Sequence, residues 1–142
     1  MLFEVFINFD GNCREALEFY SKVFKKEAQN LMTYDQVPAN PDCPVQETDR
    51  NKIMYASIRF DNMLAMFMDV SEGMPFVKGT NISPTLSMDS KEEVTRIFHG
   101  LAADGTVEID LGKMFFSECY GSVTDKFGIN WQLLQMDPQS KG

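Results

Sequence analysis

Histidine is almost missing from this chain. His99 is the only one in 142 residues, so a site built on several histidines, or on two histidines and a carboxylate, is excluded by count. Basic residues are outnumbered: 13 Lys and Arg stand against 21 Asp and Glu, a formal net charge of −8. Such a chain repels phosphate backbones and anionic lipid, which argues against nucleic acid as a partner. No apolar run is long enough to span a bilayer, so a membrane partner is not expected either. The chain opens on strand-like Leu2-Phe3-Glu4-Val5-Phe6-Ile7 with no basic leader, so no signal peptide is read. Cysteines are few, odd in number and far apart: Cys13, Cys43 and Cys119. That excludes a disulfide framework or a CxxC zinc pattern and points to a reducing cytoplasm.

What the chain does have is a repeat. Phe9-Asp10-Gly11-Asn12-Cys13-Arg14-Glu15 and Met88-Asp89-Ser90-Lys91-Glu92-Glu93 each lead from a strand into a helix. Asn12 with Glu15, and Ser90 with Glu93, read as capping boxes. The helical faces match at one offset: Ala16 with Val94, Tyr20 with Phe98, Val23 with Leu101. Cys13, Ala16, Leu17, Tyr20, Val23 and Phe24 form an apolar stripe. A second echo, Tyr55-Ala56-Ser57-Ile58 and Tyr120-Gly121-Ser122-Val123, has a smaller offset. The first copy therefore carries an insertion, for which the loop-like stretch from Asp35 to Asn51 is the candidate.

Residues 2–9 alternate, with Phe3, Val5, Ile7 and Phe9 on the face a helix covers and Leu2, Glu4, Phe6 and Asn8 on a mixed face suited to a cavity wall. The first helix is expected from about Asn12 to Lys26, followed by a strand from Ala28 to Tyr34. Lys52 to Phe60 and Met63 to Asp69 read as a hairpin turning at Asp61-Asn62, residues that tolerate positive φ. In the second half, strands are expected at Ile82–Met88, Thr106–Leu111, Cys119–Thr124 and Ile129–Met136. The second helix runs from Ser90 to about Asp104, with Gly105 as its C-cap. Gly128 suits a left-handed turn position. The tail after Asp137 is expected to fray. Each half is thus βαβββ: module 1 at about 1–70, a Gly- and Pro-bearing linker at about 71–81, and module 2 at about 82–137. A sheet with one helix leaves its other face bare, and two such faces can close a cup for a small ligand.

This plan resembles the vicinal oxygen chelate superfamily, which includes glyoxalase I, bleomycin-resistance proteins and extradiol dioxygenases. Phe9 to Tyr20 is similar to the opening motif of its PhnB-like branch, often labelled 3-demethylubiquinone methyltransferase-like. Lys52-Ile53-Met54-Tyr55-Ala56, Phe115-Phe116 and Gly121 to Trp131 resemble later blocks of that branch. The resemblance covers nearly the whole chain. It implies an α+β fold in which two βαβββ modules form a glyoxalase-like cup of mixed, curved sheets with helices outside. It also implies a homodimer, with each cup closed within one chain or by module exchange.

Metal-using relatives place His, Gln or Glu on four cup-facing strands. By motif, those positions fall on Glu4, Tyr55, about Ser83, and Gln132. Only Glu4 is a strong metal ligand there and Gln132 a weak one, so no glyoxalase-type metal site and no cofactor is expected. The label's methyltransferase activity finds no glycine-rich strand-to-helix turn in a parallel sheet. The ligand-binding candidates are Glu4, Asn8, Tyr55, Arg59 and Gln132, with Ser57 and Asn130 beside them. Arg59 and Glu4 could instead pair with each other. Met63, Met66, Met68 and Phe67 read as core or as an adaptable pocket wall. Phe115 and Phe116 read as a lid or as packing. Cys13, at a helix start, is a thiolate candidate or a buried apolar residue. His99 should face solvent, and Asp10, Asp89 and Asp125 belong to turns or caps. The expected role is binding a small molecule without a metal. The rivals are a metal-dependent lyase, isomerase or dioxygenase, and a methyltransferase.

Overall fold

In the computed structural model, which describes residues 1–137, the chain divides into two compact units at Val77/Lys78. The tail after Asp137 lies outside the described residues.

Unit 1 contains β1 (Val5–Phe9), α1 (Cys13–Phe24), β2 (Gln29–Thr33), β3 (Ile53–Arg59) and β4 (Leu64–Asp69). Its sheet has the order β1-β4-β3-β2. β1 runs parallel to β4, and the other neighbours are antiparallel. Unit 2 contains β5 (Thr85–Met88), α2 (Lys91–Ala102), β6 (Thr106–Met114), β7 (Ser117–Thr124) and β8 (Asn130–Gln135). Its order is β5-β8-β7-β6, with the same directions. The internal repeat is therefore real at the level of topology, and the protein is α+β.

Alternation decides which face each helix covers. In unit 1, Phe9, Ala65 and Phe67 are buried on the helix face beneath Cys13, Ala16, Leu17, Tyr20 and Phe24. Tyr20 stands 5.9 Å from Phe67, ring to ring. In unit 2, Val94, Ile97, Phe98 and Leu101 meet Val123, Trp131 and Leu133, all buried.

Several boundaries and caps differ from the sequence reading. β1 starts at Val5, so Phe3, expected on the helix face, is exposed. β5 starts at Thr85 because Pro84 has no N–H for the ladder. Its carbonyl still accepts from the Gln132 N–H at 3.0 Å. The expected box at α1 does not form: the Asn12 side chain makes no cap bond. The Asp69 carboxylate takes the Gly11 and Cys13 N–H groups instead, because a charged acceptor is the stronger partner. At α2, Ser90 does cap, accepting from the Glu93 N–H at 3.1 Å. Gly105 is not the left-handed residue after α2; Asp104 is, at φ 58°. Gly105 is required for another reason: a Cβ there would lie 2.4 Å from the Thr124 carbonyl oxygen. Neither Asp61 nor Asn62 takes positive φ, and the turn is closed by the Phe60 N–H donating to the Met63 carbonyl at 2.9 Å. Gly128 does take it, at φ +91°.

The insertion is the connection between β2 and β3. It carries single turns of 3-10 helix at Tyr34–Gln36 and Glu47–Asp49. The equivalent connection in unit 2 is only Phe115-Phe116.

Candidate functional site

The candidate residues can be located by following the ladders across the face turned away from each helix. In unit 1, Phe6 pairs with Met66 and Asn8 with Met68. On the other side of β4, Ser57 pairs with Met66 and Arg59 with Leu64. Tyr55 pairs with Met32. Phe6 meets Tyr55 edge-on with ring centroids 6.2 Å apart. This open face is a surface of thioethers and rings, and Arg59 is the only charged strand residue on it. Asn8, Tyr55 and Arg59 are thus brought together. Glu4 lies one residue ahead of β1 and is exposed. No ion pair links it to Arg59. Met66 and Met68 belong to this face, half-buried, while Phe67 between them is core.

Unit 2's open face has different chemistry. Tyr120 pairs with Leu134, Ser122 with Gln132, and Thr124 with Asn130. Thr85 pairs with Gln132 on the other side of β8. The groups are bonded to one another. Tyr120 donates its hydroxyl to Gln132 Oε1 at 2.7 Å. Asn130 accepts from Ser83 at 2.6 Å and donates to Ser122 at 3.0 Å and Thr124 at 3.3 Å. Thr124 in turn donates to Glu108 at 2.9 Å. Asn130 is the hub of this network.

Three of the four metal positions implied by the family resemblance make contacts within their own unit. Gln132 and Ser83 are engaged as above, and Tyr55 is edge-packed on Phe6. Among the described residues, no three His, Cys, Asp or Glu side chains converge in a way that could hold an ion. His99 is exposed on α2, with its ring 5.6 Å from Phe98. Cys13 is fully buried at the start of α1, and burial together with the Asp69 charge pushes its thiol up to about 12. It is an apolar core residue, since only a thiolate attacks. Phe115 and Phe116 form the β6–β7 turn, and Phe115 is 100% exposed; Phe116 packs edge-on against Tyr120 at 5.1 Å.

Three buried carboxylates went unnoticed in the sequence or were noticed only as turn residues. Asp69 Oδ1 accepts from the Gly11 N–H at 2.9 Å and the Cys13 N–H at 3.0 Å, and Oδ2 accepts from the Ile53 N–H at 3.0 Å. It therefore fills the anion-receptive start of α1. Asp125 accepts from the Phe127 and Ile129 N–H groups and from Trp131 Nε1 at 2.8 Å. Asp49 is bonded to Lys52 Nζ at 2.9 Å and to the Glu72 N–H, raising the Lys52 pKa and tying the insertion to the segment after β4. An acid ending an otherwise apolar strand is the one sequence signal that could have identified Asp69. The insertion also shapes a surface cleft of about 370 Å³ lined by Tyr34, Val37, Pro41, Pro44, Val45 and Arg50. None of the five candidate ligand-binding residues lines it. No helix among the described residues is long and apolar enough to cross a membrane.

Known proteins agree with this architecture. Protein YjdN of Escherichia coli K12 is 31% identical over 137 residues, covering 90% of each chain. The crystal structure of PA1353 from Pseudomonas aeruginosa is 27% identical, with a TM-score of 0.85 over 96% of this chain and 98% of that one. A glyoxalase/bleomycin resistance protein from Albidiferax ferrireducens T118 shares the fold, with a TM-score of 0.61 at 15% identity over 94% and 97% of the two chains. Residues 3–134 match the family described as 3-demethylubiquinone-9 3-methyltransferase, and the chain belongs to that family.

Proposed function

We propose that this protein binds a small molecule on its open sheet faces, in a cytoplasmic homodimer, and does so without a glyoxalase-type metal. The observation that carries this reading is the contrast between the two faces of unit 1. The helix face is closed and aromatic, while the open face keeps half-buried Met66, Met68 and Tyr55 beside polar Asn8 and Arg59. Apolar area with a few placed polar groups is the usual composition of a ligand site. Glu4, just ahead of β1, and Gln132, on unit 2's own open face, are the other proposed residues. Three free cysteines, two of them buried, accord with a reducing compartment. Exposed Leu2, Phe3, Ile82 and Phe115 offer apolar surface for a second copy.

The family description names a methyltransferase. The strand-to-helix turn where a nucleotide-like cofactor would be expected is Asp10-Gly11-Asn12, and Asp69 already holds its Gly11 N–H and the Cys13 N–H that follows. That favours binding over methyl transfer. The engagement of Ser83, Tyr55 and Gln132 likewise favours binding over a metal-dependent lyase, isomerase or dioxygenase.

Native mass spectrometry of protein purified from cell extract tests all of this at once. The expected species is a dimer carrying an organic adduct that is lost from Tyr55→Ala. A single metal ion per chain would instead point to the metal enzymes. An adduct with the mass of S-adenosylmethionine would restore methyl transfer, and a bare monomer would overturn the reading.

A further inference from the structure

We propose that the molecule taken by unit 1's open face is an elongated aromatic anion, its carboxylate or sulfonate held by Arg59 and its rings laid over Met66 and Met68. This rests on the small-molecule reading above and adds the chemistry of the ligand. Charge complementarity carries it. The strand residues of this face include Phe6, Asn8, Tyr55, Met66, Met68 and Arg59, and no strand residue on it is acidic. In a chain of net charge −8, acids are plentiful, yet Arg59 has no ion pair or hydrogen bond among the described residues. The nearest acids by position, Glu4 and Asp61, lie outside the strands.

The dimensions fit. From Arg59 to Tyr55 along β3 is about 13 Å, at roughly 3.3 Å per residue. Two fused rings with an acidic group fit within that span. A guanidinium matches a planar carboxylate or a sulfonate with paired N–H donors. Thioethers adapt to a flat ring, and Phe6 and Tyr55 supply ring edges. The Tyr55 hydroxyl, which no residue of the described chain engages, stands at the far end as a second polar contact. Unit 2's face offers no such pairing, because its hydroxyl and amide groups are bonded to each other and its nearby charge is Glu108.

The test uses two fluorescent probes of similar shape: the anion 1-anilinonaphthalene-8-sulfonate and the neutral N-phenyl-1-naphthylamine. Each is titrated into the full-length protein, into Arg59→Gln, and into Arg96→Gln as a charge-matched control on α2. The expected result is saturable binding of the anion, about tenfold tighter than the neutral probe, with Arg59→Gln removing the difference and Arg96→Gln keeping it. Equal affinities that Arg59→Gln leaves unchanged overturn the anionic inference and leave small-molecule binding standing. Binding of neither probe to protein that melts cooperatively also overturns the inference, while the adduct mass decides the broader reading separately.

Discussion

The two units have the same strand order and directions, yet they secure their helices differently. In unit 1, a buried acid from the end of β4 reaches the start of α1 and also takes the first N–H of β3. In unit 2, the position paired with the end of β5 is Gln135, which only touches the Asp89 carbonyl at 3.3 Å; α2 is capped by its own Ser90. Unit 1 thus links helix, hairpin and strand end through one side chain. Unit 2 uses a local cap that any helix could carry. The open faces diverge in the same spirit: unit 1 keeps an adaptable apolar surface with one cation, and unit 2 a self-bonded polar one. Topology is shared because it depends on periodicity alone. The polar groups are where the copies were free to differ.

The sharpest way to break this comparison is Asp69→Ala. It strands three N–H donors and should cost about 3–5 kcal/mol, against about 1 kcal/mol for Ser90→Ala. Urea unfolding measures both, and equal losses would remove the asymmetry.

A smaller difference lies in the echoed strands, where Ala56 of unit 1 corresponds to Gly121 of unit 2. A Cβ at Gly121 would sit 2.7 Å from Phe98 Cε2 and 2.9 Å from Leu111 Cδ2. Gly121→Ala should therefore destabilise by about 1–3 kcal/mol through overpacking. Ala56→Gly should cost about 1 kcal/mol through chain entropy. A neutral or stabilising Gly121→Ala would show that α2 can shift where α1 is held.

The smallest effect is invisible at neutral pH. Cys13 is buried, with its thiol raised from 9.0 to about 12. The raised value means the folded state holds its proton while the unfolded chain loses it. The thiol's contribution is fully present below pH 9 and is lost as pH rises toward about 12. Cys13→Ser, which does not titrate there, should match the wild-type pH dependence up to pH 9. It should then lose about 1.4 kcal/mol less by pH 10. Parallel alkaline limbs would place Cys13 outside this linkage. The residue after the cap in unit 2 is Lys91, which is exposed, so the effect belongs to unit 1.

Much of this was legible in the sequence. The apolar stripe of α1, the alternation that puts Asn8, Tyr55 and Arg59 on one face, the insertion after β2 and the turn at Gly128 all follow from period and backbone preference. The Asn12 box did not form, because capping boxes are read from local spacing and Asp69 is remote in sequence. Gly105 was assigned to a cap because glycine's commonest use is positive φ, whereas here a neighbouring carbonyl leaves no room for a side chain.

By itself, the sequence determined the repeated βαβββ plan, the helix-facing side of each strand and the scarcity of metal ligands, since each depends on residue type and spacing along the chain. Only the tertiary structure decided that Asp69 would cap α1, that Asn130 would become a hub and that Arg59 would stand on an apolar face with no ion pair among the described residues. Those outcomes depend on which distant backbone and side-chain groups the sheet registers bring within hydrogen-bonding distance.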